Sequence, residues 1–117
     1  MNSLKGESTI TLSGTEYRMK CTFEALIAIE DRLGRDLLDV FMTISKVKLP
    51  LKVIAVAFYE MHKAAGGKLT YAECGKILVD SGFVTNSVPI LNLLGEAIMA
   101  GRGEMEGEES PSPQGVQ

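Results

Sequence analysis

Glu7-Ser-Thr-Ile-Thr-Leu-Ser-Gly-Thr-Glu-Tyr-Arg-Met-Lys-Cys-Thr-Phe-Glu-Ala-Leu-Ile-Ala-Ile-Glu-Asp-Arg-Leu-Gly34 changes its hydrophobic period once, and that change decides the fold. As far as Cys21 the apolar residues alternate. Ile10 and Leu12 fall on one face of a first strand, and Tyr17, Met19 and Cys21 on one face of a second. Ser13-Gly14-Thr15 lies between them, and its glycine can take the positive φ of a tight turn, so the segment predicts a β-hairpin. Two strands alone are marginal in water, and their apolar face needs a support. The support follows at once. Thr22 is a good N-cap, Phe23, Leu26, Ile27, Ile29 and Leu33 recur at helical spacing, Glu24 and Arg32 suit the two ends of the helix dipole, and Gly34 is a left-handed stop.

Downstream the pattern stays helical. Asp36 predicts the cap of a short second helix reaching Ser45, with Leu37, Leu38, Phe41 and Ile44 as its apolar positions. Lys46-Val47-Lys48-Leu49 lacks helical spacing and reads as a connector. Pro50 suits the first turn of a third helix reaching Ala64, with the stripe Leu51, Ile54, Ala57, Phe58 and Met61. Gly66-Gly67 ends it. Thr70-Tyr-Ala-Glu73 is a capping box opening a fourth helix, Tyr71–Ser81, which turns Cys74, Ile77 and Leu78 inward and stops at Gly82. Asn86 or Ser87 predicts the cap of a fifth helix with Pro89 near its start, running to Ala100. Residues 101–117 change to Gly, Glu, Ser, Pro and Gln, a composition that buries too little apolar surface to offset its ordering entropy and predicts a disordered acidic tail. The expectation is an α+β, mostly α fold: an N-terminal hairpin packed on five short helices over residues 1–100, then the tail.

Composition narrows the function. The 117 residues are 45% hydrophobic and 23% charged with no Trp, which predicts one modest aliphatic core in a soluble chain. No stretch has the roughly 20 apolar residues of a membrane span, and Met1–Gly6 has no secretory pattern, so a cytoplasmic location is expected. The net charge of −3 argues against general nucleic-acid binding. Glu104, Glu106, Glu108 and Glu109 carry the acidity and leave the rest at about +1.

The residue sets of catalysis are missing. His62 stands alone, Cys21 and Cys74 are far apart and outside any Cys-x-x-Cys pair, and together they lack the spacing and the fourth ligand of a zinc site. His62 is read as a partly exposed helix-end residue, and the cysteines as buried thiols. Nothing local activates a thiol for a Cys–His pair. Glu30 and Asp31 are helix neighbours that point apart, and Glu30 can turn toward Gly34-Arg35. Gly66-Gly67-Lys68 resembles a phosphate loop only in its glycines, and the segment Gly67–Val79 lacks the acidic ladder of a calcium loop. A helix-turn-helix over Leu51–Ser81 would present Lys76 as its one strongly basic recognition residue, beside Glu73 and Asp80. No cofactor or metal is implied. What remains is surface: Ile90, Leu91, Leu93, Leu94, Ala97 and Ile98 cover more than one face of the fifth helix. That surplus predicts either the central core helix or a partner contact through Ile90, Leu91, Leu94 and Ile98.

The hairpin, the stretch Thr22-Phe-Glu-Ala-Leu26 with Ile29-Glu-Asp-Arg-Leu-Gly34, and the turn Gly66-Gly-Lys-Leu-Thr70 together resemble the small tail assembly chaperones of gene transfer agents and siphophage-type phages, over about residues 7–100. The resemblance implies a non-enzymatic protein that binds the tape-measure or tail tube protein while a phage-like tail is built in the bacterial cytoplasm. It carries no active site and no functional residue to transfer. The alternatives are a structural tail component kept in the particle and, in another class, a small DNA-binding regulator.

Overall fold

The computed structural model describes residues 6–44 and 49–107, with side chains as far as residue 98. Strands β1 (Glu7–Leu12) and β2 (Thr15–Lys20) pair antiparallel, Ile10 opposite Tyr17 and Leu12 opposite Thr15. Both turn residues, Ser13 (φ 51°) and Gly14 (φ 83°), are left-handed, the mirror-image turn whose twist matches the strands. The alternation holds: Ile10, Leu12 and Met19 are buried, with Tyr17 and Cys21 packed at the edge of the core.

Helix α1 (Phe23–Leu33) starts where Thr22 Oγ1 accepts from Ala25 N–H at 3.0 Å, and ends at the left-handed Gly34. Its inward face differs from the expected stripe. Ala25 and Ile29 are buried, whereas Phe23 is 72% and Ile27 41% exposed. Helix α2 (Leu37–Thr43) is capped twice, by its own Asp36 and by Glu30, whose Oε2 accepts from Leu37 N–H at 2.8 Å. It stops short of Ser45, which with residues 46–48 of the expected connector lies outside the described residues.

Helix α3 (Leu51–Ala64) is the centre of the molecule, packing against β2, α1, α4 and α5. An unbroken run from Val53 to Phe58 is buried, so all sides of the helix are covered and not a stripe alone. Helix α4 (Tyr71–Asp80) opens with the expected capping box, Thr70 N–H donating to Glu73 Oε1 at 2.8 Å and Glu73 N–H to Thr70 Oγ1 at 3.1 Å. Helix α5 (Phe83–Gly107) starts directly after Gly82 (φ 107°), which places Pro89 inside it. Asn86 is therefore no cap. Buried in the second turn, it donates through Nδ2 to Ser81 Oγ at 2.6 Å and ties the end of α4 to α5. Ser87 likewise donates back to Val84 O within the helix. At its other end α5 continues past the Ala100 boundary expected from composition, and residues 108–117 of the expected tail lie outside the described residues. No helix among the described residues is long and apolar enough to cross a membrane.

Candidate protein-binding groove

Of the four residues of α5 named for a partner contact, two belong to the core, as in the core-helix alternative. Ile90 and Leu94 are fully buried in the core, and Leu91 and Ile98 pack against it half-buried. Gly95 lets α5 approach α2 closely, since a Cβ there would meet the Phe41 ring of α2 at 2.7 Å. Among its described side chains, the large apolar residues that α5 exposes are Val84 and Val88, at 68% and 54%.

The single histidine is also placed differently from the sequence expectation. His62 is buried, not partly exposed at a helix end. Its ring stacks on Phe58 (centroids 5.6 Å) and meets Tyr17 edge to face (5.6 Å). Nδ1–H donates to the backbone carbonyl of Arg18 at 3.0 Å, so the imidazole bolts the hairpin to α3. The far edge of the ring lies against Gly67, with no room for a Cβ there. Both cysteines are free, Cys74 fully buried and Cys21 half-buried. Burial pushes the Cys21 thiol up to about 11, and burial with the nearby Glu73 charge pushes Cys74 up to about 12, the reverse of what a nucleophile needs. Among the described residues no three His, Cys, Asp or Glu side chains gather as metal ligands.

Charge and aromatic rings cluster instead between α1, α3 and α4. Arg32 Nε bonds the buried Glu60 carboxylate at 3.2 Å, and its guanidinium lies 5.0 Å from the Tyr59 ring centre and 5.1 Å from that of Tyr71. The two tyrosines meet edge to face at 5.9 Å. This cluster locks α4 against α1 and α3, and Tyr71 continues from it into a groove.

That groove, about 680 Å³ in volume, runs between α3 and α4. Ala55, Ala72 and Gly75 form small-residue lining, Leu51 and Val79 stand about half exposed beside them, and Lys52 and Lys76 are the charged residues that line it. On α4 the lining extends from Tyr71 to Val79, about 12 Å of helix. A Cβ added at Gly75 would meet nothing within 4 Å. Gly75 is thus a helix-interior glycine that the chain's own packing does not require, at a cost of about 0.5–1 kcal/mol relative to Ala. Sequence periodicity misses this surface because Leu51 falls in the expected core stripe of its helix and Val79 lies beside that of α4. The signal present in the sequence was the glycine inside the α4 pattern.

Comparison with protein-family models, with curated proteins and with solved structures finds no match to this chain.

Proposed function

We propose that this chain works by binding another protein, as an assembly chaperone for the tape-measure or tail tube protein of a phage-like tail in the bacterial cytoplasm. The observation that carries the binding half of this reading is the open α3–α4 groove, apolar along two helical turns and lined by small residues. Such a groove suits the apolar stripe of a helix, which a long helical tail protein exposes before it is enclosed. The half that names the tail rests on the resemblance of Thr22-Phe-Glu-Ala-Leu26 and Gly66-Gly-Lys-Leu-Thr70 to the tail assembly chaperones. A regulator that reads DNA through α4 has less in its favour, since Lys76 is the one strongly basic residue of that helix and stands beside Glu73 and Asp80.

The test is co-expression of the tagged chain with the neighbouring tail genes, followed by affinity purification and mass spectrometry of both the eluate and finished particles. The chaperone reading expects tape-measure or tube protein in the eluate and none of this chain in particles. Stoichiometric presence in particles replaces it with the structural-component reading. Absence of both tail proteins from the eluate ends the tail assignment.

A further inference from the structure

The groove has a complement on the same molecule. Helix α1 packs on α3 through Ala25 and Ile29, which leaves Phe23 and Ile27, one turn apart, exposed to solvent. These two apolar side chains share their face with Asp31 and are flanked by Glu24, both exposed. Phe23 is the most exposed large apolar residue described, at 72%, and the fold gives it no cover. The groove presents the opposite character: apolar walls at Leu51 and Val79, and lysines 52 and 76 as its charged residues.

We propose that the α3–α4 groove receives the Phe23–Ile27 face of α1 from a second copy of this chain, joining copies head to tail. Phe23 and Ile27 enter between Leu51 and Val79, and Gly75 lets the incoming helix approach closely. Glu24 and Asp31 then lie within reach of Lys52 and Lys76. Lys76 already bonds Asp80, but that pair is exposed on both sides, and an exposed pair in water resists rearrangement weakly. Because groove and insert are different surfaces, the contact is heterologous, and repeating it yields a ring if the rotation closes and an open chain of copies if it does not. One helical face in one groove is smaller than the roughly 1,200 Å² of a stable interface, so association is weak and concentration-dependent.

Three proteins test this: wild type, Phe23→Ser, which removes the insert, and Gly75→Gln, which fills the groove. Both substituted positions lie on the surface, Phe23 exposed and Gly75 facing open space, and circular dichroism checks that each variant is folded. By sedimentation velocity from about 10 μM to about 1 mM, wild type is expected to self-associate, more weakly as salt rises. Each variant alone is expected to remain monomeric. Their equimolar mixture is expected to form a dimer and stop there, because it holds one intact insert and one intact groove. A wild-type monomer at every concentration overturns the proposal. So do variants that associate like wild type, which indicates a contact elsewhere, or a mixture that stays monomeric while wild type associates. A second copy and a tail-protein helix would compete for this one groove; sedimentation reports on the copies and the pull-down on the tail protein, so the two readings fail separately.

Discussion

Replacing Gly67 by alanine tests the packing between the hairpin and the helical body. The methyl group would overlap Nε2, Cδ2 and Cε1 of His62, a ring clamped by Phe58 on one face, Tyr17 at its edge and the Arg18 carbonyl at Nδ1. Rotating the ring away gives up that hydrogen bond, about 1 kcal/mol, and its stacking, about 0.5–1.5 kcal/mol. Moving the turn instead strains the bond from Gly67 N–H to His62 O, now 2.9 Å. Overpacking of this kind costs about 1–3 kcal/mol, so Gly67→Ala is expected to destabilise by about 2 kcal/mol in urea denaturation followed by circular dichroism. The neighbouring Gly66 supplies the control. It has φ 91° with open space around it, so Gly66→Ala costs about 1–2 kcal/mol of backbone strain with no contact involved. In double mutants with His62→Ala the two glycines therefore separate. Gly67→Ala adds almost nothing once the ring is gone, whereas Gly66→Ala adds its full cost. Additivity of Gly67→Ala with His62→Ala would refute the contact, and so would a neutral Gly67→Ala.

Three further outcomes follow from the same core. Leu94→Ala is expected to cost about 2–5 kcal/mol in denaturant, as a fully buried leucine does, and to weaken partner capture only in step with folding; capture lost at unchanged stability would return α5 to the surface. Arg32→Met leaves the Glu60 carboxylate buried without its guanidinium and is expected to cost about 2 kcal/mol, more than Glu60→Gln, which retains an acceptor for Arg32; the reverse order would contradict the cluster. Both thiols ionise later in the folded chain than in the unfolded one, near 11 for Cys21 and 12 for Cys74 against 9.0, so their stabilisation is complete below pH 9 and is lost as pH rises toward those values. Stability should fall there by about 1.4 kcal/mol per pH unit for each thiol, and Cys74→Ala should remove one such contribution; an unchanged alkaline slope in that variant would refute it.

The sequence yields most where local chemistry alone determines the structure. The hairpin, the caps at Thr22, Asp36 and Thr70 and the stop at Gly34 need only neighbours in the chain, and each is found where its residues place it. The errors gather where a distant contact decides. Asn86 has the chemistry of a cap, yet its amide is drawn to Ser81 across the α4–α5 turn, and Gly82 lets the helix start at once. His62 sits at the end of its helix and on that ground should meet water, but the hairpin folds over it.

Of the two alternatives for the α5 surplus, burial of Ile90 and Leu94 favours the core, for a related reason. Counting apolar residues around α5 detects a surplus, but a surplus marks an interface only if no other part of the chain consumes it. The α5 surplus is consumed by the core that includes α3 and by Phe41, which presses onto Gly95. Besides Leu51 at the start of α3 and Val84 and Val88 on α5, the exposed apolar residues come from shorter helices whose stripes are wider than their inward contact: Phe23 and Ile27 on α1, Leu38 and Met42 on α2, Val79 on α4. In each case the expected stripe included, or lay beside, a residue that points outward. A central helix buried on all sides from Val53 to Phe58 fixes only one edge of each neighbour, and apolar positions off that edge face solvent. For a protein proposed to act by binding, the exposed surface is therefore found on the helices packed around α3, and it is there, in the groove between α3 and α4, that substitutions should alter binding without altering the fold.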